Sequence, residues 1–371
     1  MIQFFHSAQT GAPVNAGTAG YGIALLDACL VTGFSAKSVS TITVTDNVAT
    51  LTTSTAHGFA VDEAVLVSGA NEAAFNGTFR VLSVPSSTTL TFALVTALTA
   101  ASGTVTVKMA PLGWEKVYSG TNKAAYRSQD VTGTRLYLRA DDSAAQYLTV
   151  TMYESMSDID TGTGATGPLY WNKSSTSDTT ARAWQLVGNG TAFYWFSDWH
   201  AASYPLKPNG YLFGDFPSVK AGDAYRCMLI GHDVSDPSYT YANCNFNVAR
   251  GATFNAGQRI ARSYSQIGAA VAAYKECASN NSTLGYGSAT LYPNGADNGL
   301  HLVPVHVFES GSNACRGRMP GLYAPLENTQ GAFPAMDRTI TIDGKRYLAL
   351  RVIYDTSNAG NCWLLLDGDW T

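Results

Sequence analysis

The sequence predicts a mainly β protein: a multi-stranded, sandwich-like body with one short N-terminal helix and an inserted small β-barrel or sandwich module. Three observations carry this. The 371 residues include 35 Gly and 20 Tyr, with many Thr, Ser and Asn where Lys and Glu are usual, a composition that favours strands and turns over helices. Short β-prone runs with period-two character recur between turn signals. In RLYLRADD (135–142), Leu136 and Leu138 face one way and Arg135, Tyr137 and Arg139 the other. Strong helical spacing is confined to one segment near the N-terminus.

Residues 1–38 form an N-terminal arm and helix belonging to the body. A Gly/Ala/Pro-rich stretch leads into AGYGIALLDACLV (19–31), where Leu25, Leu26, Cys29 and Leu30 make one apolar stripe and Gly33 stops the helix. Residues 39–108 read as a separate, nearly uncharged all-β module. Its turn signals fall at Asp46-Asn47, His57-Gly58, Ser68–Asn71 and Asn76-Gly77. The flanks GFSAKSV and APLGWEKV would join sensibly without it, which predicts an insertion whose two ends lie close together.

Residues 109–371 form the main β-rich body and admit a division near residue 230. GWEKVYSG, QYLTVTMYESM, AWQLVGN and TAFYWFSDW read as strands. Residues 158–168 and 172–183 read as polar loops. A short helix is expected within 260–278, where Ala and Tyr recur at helical spacing. LHLVPVHVFES (300–310) is a strand broken by Pro304, hence an edge strand or a bulge. The C-terminal segment is a meander with a hairpin at Asp343-Gly344 and a loop at Asn358–Gly360.

Composition also excludes function classes. The hydrophobic fraction of 46% supports a sizeable core. A charged fraction of 13% and a net charge of -4 argue against a nucleic-acid or polybasic membrane-surface partner. No apolar run is long enough for a transmembrane helix. The N-terminus has neither a basic n-region nor an apolar h-region, which predicts folding in a cytoplasm. There the six scattered Cys are small buried hydrophobes and no disulfide is expected.

No catalytic, cofactor or metal residues are predicted. His301 and His306 fall on opposite faces of a strand and share no metal. Asp158-Ile-Asp160-Thr-Gly162 resembles the start of a calcium loop without its closing Glu, and a plain turn is the better reading. Asp141 and Asp142 diverge in a strand, so neither completes a glycosidase pair without a distant partner. The candidate interface or sugar-stacking aromatics are Trp171, Tyr194, Trp195 and Trp199, although rings alternating along a strand are more often packing.

One resemblance is specific. GAPVNAGTAGYGIALLDACLVTGF, GWEKVYSGTNKAAYRS, RLYLRADD, YESMSDIDTGTG, YWNKS, FGDF and RGRMPGLYAPL resemble a family of tailed-bacteriophage virion proteins. STAHGFAVDEAVLVSGANEAAFNGTFRVLSV (54–84) resembles a small β module of phage tail proteins that pairs H-G-F, a G-D-x-V-like step and N-G-T-F/Y. Here Asp62-Glu63 stands where Gly-Asp is usual. The resemblance implies a non-enzymatic structural protein of the virion, in the tail tip or baseplate, made in the host cytoplasm. It implies partners among other tail proteins, a trimer or hexamer, and fibre attachment or host-surface contact, including a host glycan. A neck, collar or head-decoration protein and a host-polysaccharide binder are the alternatives. Neither cofactor nor nucleic acid nor membrane insertion is implied.

Overall fold

The computed structural model describes residues 1–198, 209–233, 257–277, 291–329, 332–333, 338–353 and 359–370. The chain is mainly β. Its first strand, β1 (Gln3–His6), is followed by helix α1 (Tyr21–Leu26), which continues as a π-helical turn over Asp27–Thr32. Leu25, Leu26, Cys29 and Leu30 are all fully buried, as the stripe predicts. No side chain of its own caps α1. The Asp142 carboxylate does so from afar, accepting the Gly22 and Ile23 N–H groups at 2.7 and 3.1 Å. Gly33 ends the helix at φ 70°. A Cβ there would lie 2.2 Å from the Met109 carbonyl oxygen, so both the turn and the close approach require glycine.

A closed six-stranded barrel follows. It comprises β2 (Phe34–Thr45), β3 (Val48–Thr53), β4 (Ala64–Ala70), β5 (Gly77–Ser86), β6 (Thr89–Ala93) and β7 (Gly103–Met109), in spatial order β2-β3-β6-β5-β4-β7. The chain enters at Phe34 and leaves at Met109, which are register partners. Alternate residues fill the interior, among them Leu51, Val65, Val67, Val81, Leu90, Phe92 and Val107. Asp46 and Asn47 both take positive φ and close the β2–β3 hairpin, as expected for a primed turn. The turn expected at Ser68–Asn71 starts later. Ser68 to Ala70 still belong to β4, bulged at Gly69.

The H-G-F and N-G-T-F motifs have physical roles. The His57 Nδ1 accepts the Phe59 N–H at 2.9 Å, which folds the H-G-F turn around the buried Phe59. The Asn76 side chain bonds both backbone groups of Ala70, and Phe79 stacks on Phe92 at 4.3 Å.

The body is a sandwich. β8 (Trp114–Gly120), β9 (Lys123–Ser128), β10 (Tyr137–Asp141) and β11 (Tyr147–Tyr153) lead to the small hairpin β12 (Ser155–Met156) and β13 (Gly162–Thr163), then β14 (Leu169–Asn172). Five of them form a sheet ordered β14-β11-β10-β9-β8. The alternation read in RLYLRADD holds: Leu138 and Ala140 face the main core, and Tyr137 packs on the other face with Ala125 and Met156.

The second sheet has twelve strands. After β1 it takes β15 (Trp184–Gly188), β16 (Ala192–Ser197), β17 (Asn209–Asp215), β18 (Cys227–Ile230), β19 (Gln258–Ile260) and β20 (Val271–Glu276). Then come β21 (Leu302–Glu309), β22 (Cys315–Pro325), β23 (Arg338–Ile342), β24 (Lys345–Ile353) and β25 (Ala359–Leu365). The spatial order is β1-β15-β16-β17-β18-β19-β20-β21-β22-β25-β24-β23. Leu186, Phe193, Trp195, Tyr211 and Phe213 face the five-stranded sheet. Their neighbours Val187, Tyr194, Phe196 and Leu212 face a second core. That second core also holds Ile2 beside β1 and Leu348 and Leu350 of β24, so the sheet curls until its two margins share one interior.

Three expectations change. The helix expected within 260–278 is replaced by β19 and β20, because pairing with β18 and β21 overrides local Ala spacing. Ala359 and Gly360, expected in a loop, already belong to β25. Gln3–His6, read as an arm, is a strand. Pro304 sits at a register shift of β21, beyond the stretch that pairs with β20, and so costs no ladder bond there. The hairpin at Asp343-Gly344 forms as expected.

The connections of the large sheet segregate. At one end are the turns 189–191, 216–226, 261–270, 310–314 and 343–344. At the opposite end the chain leaves at Ser197, Ile230, Glu276, Pro325 and Ile353 and returns at Asn209, Gln258, Leu302, Arg338 and Ala359.

Candidate functional site at the barrel–sheet junction

The barrel meets the large sheet at the end that carries the short turns. A cleft of about 210 Å³ lies between β1, the barrel segment 60–63 with Arg80, and Thr339, Arg346 and Leu366. Asp62 has φ 71°. That left-handed backbone favours glycine, and Asp62 brings a carboxylate to it. That carboxylate receives Arg346 Nη1 at 2.6 Å, while Asp367 holds the other side of the same guanidinium at 2.6 Å. These bonds hold the Asp367 carboxyl below its ordinary range.

Arg80 donates to the Asp62 carbonyl at 2.7 Å and to the Ile2 carbonyl at 3.0 Å. Burial, and then the nearby Arg346, lower the pKa of its guanidinium. Gln9 donates to Glu63 at 2.6 Å and accepts the His6 N–H at 3.0 Å. Thus Arg80 and Gln9 satisfy backbone groups on the outer margin of β1, a margin that would otherwise be open to strand addition. In the cleft Arg346 is paired with Asp62 and Asp367, and Arg80 and Glu63 are held by hydrogen bonds to uncharged groups. What the arrangement does chemically is fix the barrel to the sheet.

The aromatic candidates are buried. Trp171, Tyr194 and Trp195 are all 0% exposed. Trp171 meets Trp195 at 5.8 Å and stacks on Tyr211 at 5.6 Å, and its Nε1 donates to the Ile230 carbonyl at 2.8 Å. Tyr194 points into the second core and donates to the Pro320 carbonyl at 2.9 Å. No face of these three rings is open for a sugar to stack on, because β16 is covered on both sides. Trp199 lies outside the described residues.

The titratable candidates are also structural. Asp160 pairs with Lys123 and Arg139 at 2.8 and 2.7 Å, bonds that lower its pKa. Asp158 closes a turn on the Asp160 N–H. His301 Nδ1 meets the buried Glu327 at 2.6 Å and its Nε2 meets Asp297 at 3.1 Å. The Glu327 bond raises the His301 pKa. Asp141 and Asp142 do diverge. Asp141 bonds Ser143, and Asp142 is buried against Lys173. Among the described residues, no group of His, Cys, Asp and Glu could hold a metal ion, and no helix is long and apolar enough to cross a membrane.

Sequence reasoning missed Gln9, Arg80, Lys173 and Arg346. Each looks like an ordinary surface residue in the sequence. The one available signal was scarcity, since cations in so uncharged a chain are worth following individually. It missed as well the buried Arg316, which bonds Asp223 and Glu309 at 2.6 Å each.

No family model and no curated protein matches the chain. Among solved structures it is similar to "Phage phi92 endosialidase" at 14% identity, over 90% of this chain and 52% of that one, with a TM-score of 0.19. The chain spans about half the length of that protein, and a likeness of this degree bears on neither fold nor activity here.

Proposed function

We propose that this chain is a non-enzymatic structural component of a tailed-phage virion, seated at the tail tip or baseplate. It assembles there with neighbouring tail proteins as a trimer or hexamer. The reading rests first on the virion-family segments and the H-G-F and N-G-T-F module in the sequence. The structural observation that carries it is the segregation of connections on the large sheet. One end has short turns and the docked barrel. The other receives the two longest connections after β15, 231–257 and 277–301, together with 199–208, and these are rich in Tyr, Ser, Asn and Gly and hold, of Lys and Arg, only Lys207 and Arg250. Long connections on a rigid scaffold are where proteins place recognition, and that composition suits adaptable contacts. The chain would meet its neighbours, a fibre or a host-surface glycan with that end.

Gold-labelled antibody against the chain, viewed on intact particles of the encoding phage, tests this. Label at the distal end of the tail is expected. Label at the neck or head would overturn the tail-tip placement. Bare particles, with an antibody that binds the free protein, would overturn the virion reading.

A further inference from the structure

Lys173 and Asp142 are both fully buried, and Lys173 Nζ contacts Asp142 Oδ1. The surroundings of the pair are arranged. The lysine nitrogen also faces the Thr18 carbonyl at 2.6 Å and the Ala144 carbonyl at 3.2 Å. An uncharged amine has two N–H groups, and these two carbonyls accept both. Its lone pair is then left toward the Asp142 carboxyl. The other carboxyl oxygen, Oδ2, accepts two backbone N–H groups, from Gly22 at 2.7 Å and Ile23 at 3.1 Å. Two donors on one oxygen polarise the carboxyl carbon and would hold the oxyanion of an addition intermediate. Burial raises the Asp142 pKa and lowers that of Lys173, so both side chains are displaced toward their uncharged, reactive forms.

We propose that Lys173 and Asp142 condense into an intramolecular isopeptide bond. The Lys173 nitrogen adds to the Asp142 carboxyl carbon, forming the C–N bond. The C–Oδ1 bond breaks, and the hydroxyl leaves as water with one amine proton. No oxidant, reductant or co-reactant is needed. Among the described residues no other carboxylate bonds either side chain, so the proton passes directly between the two partners. The remaining amide N–H keeps the Thr18 carbonyl as its acceptor. The product is a covalent tie from the residue after β10 to the residue after β14, the two strands that flank β11.

The test is mass spectrometry of the denatured full-length chain, then of its tryptic peptides. Trypsin cuts after Arg139, Lys173 and Arg182, so both partners lie in the stretch 140–182. The expected result is a chain lighter than its sequence by one water (about 18 Da), with 140–182 recovered uncut at Lys173 and carrying that loss. The Lys173→Arg variant is expected at the full sequence mass and cleaved at that position. A wild-type chain at full mass that releases 140–173 and 174–182 separately would overturn the proposal. So would a water lost at any other place in the chain. The wild-type measurement decides the matter even if the variant does not fold.

Discussion

In the small barrel, each strand turns one side chain in two toward the interior and leaves the other in water. In β15 to β18 every residue is buried, because the sandwich core lies on one face and the curled sheet's second core on the other. The barrel's interior is therefore lined by one continuous stretch of chain and runs on into the sandwich core, whereas the body's core is shared among distant parts of the chain. The barrel is expected to be a unit that can be lost alone. The centre of the large sheet cannot be disturbed without disturbing both layers it supports.

The largest expected effect exploits this. Trp195→Ala empties a fully buried site between two sheets and should cost about 3–5 kcal/mol. Phe92→Ala should cost a similar amount but within the barrel. Segment 34–109 contains no Trp, so Trp fluorescence reports the body alone. Denaturant unfolding followed by fluorescence should shift for Trp195→Ala and stay in place for Phe92→Ala. Equal shifts for both would mean the two regions unfold as one.

A sharper version removes the barrel. Phe34 and Met109 are cross-strand partners, roughly 5 Å apart by the geometry of such pairs, so deleting 35–108 and joining them asks little of the backbone. The fluorescence transition should survive with its cooperativity intact. A product without a cooperative transition would show that the barrel is part of the body's core.

The junction itself should be weak. Arg346→Gln removes two partly exposed ion pairs, to Asp62 across the junction and to Asp367 beside the sheet, and should change body stability by about 1 kcal/mol or less, a difference that shrinks as salt is added. A larger, salt-independent loss would make Arg346 a structural element of the sheet.

The smallest signal sits at the other end of the sheet. The His301 pKa is raised in the folded protein by Glu327. Its stabilisation is therefore complete below the unfolded value of about 6.5 and is lost as pH rises through the folded value. The difference in Tm between wild type and His301→Gln should narrow from mildly acidic to alkaline pH. A difference independent of pH would remove the charge from the explanation.

The same contrast decides what could be read from the sequence. Strands half in water carry their period in their residues, and RLYLRADD and the barrel hairpins were legible for that reason. Turns at Asp46-Asn47 and Asp343-Gly344 were legible because their backbone requires positive φ. The doubly buried strands were found only as apolar runs, without a facing direction. That is why Tyr194 and Trp195 could be proposed for an outer surface. β20 was missed because Val271–Glu276 owes its strand to neighbours on both sides. The junction and the Lys173–Asp142 pair join residues far apart in sequence, and no local pattern encodes such a meeting.

The pairing of β1 with β15, Gln3 opposite Gly188, sets an order of events during synthesis. β1 has no sheet partner until synthesis has reached β15. The barrel closes from contacts within a short span and can be complete long before then. Once it is, Arg80 is in place to hold the Ile2 carbonyl, so an early-folding part of the nascent chain can shelter a strand still waiting for its sheet.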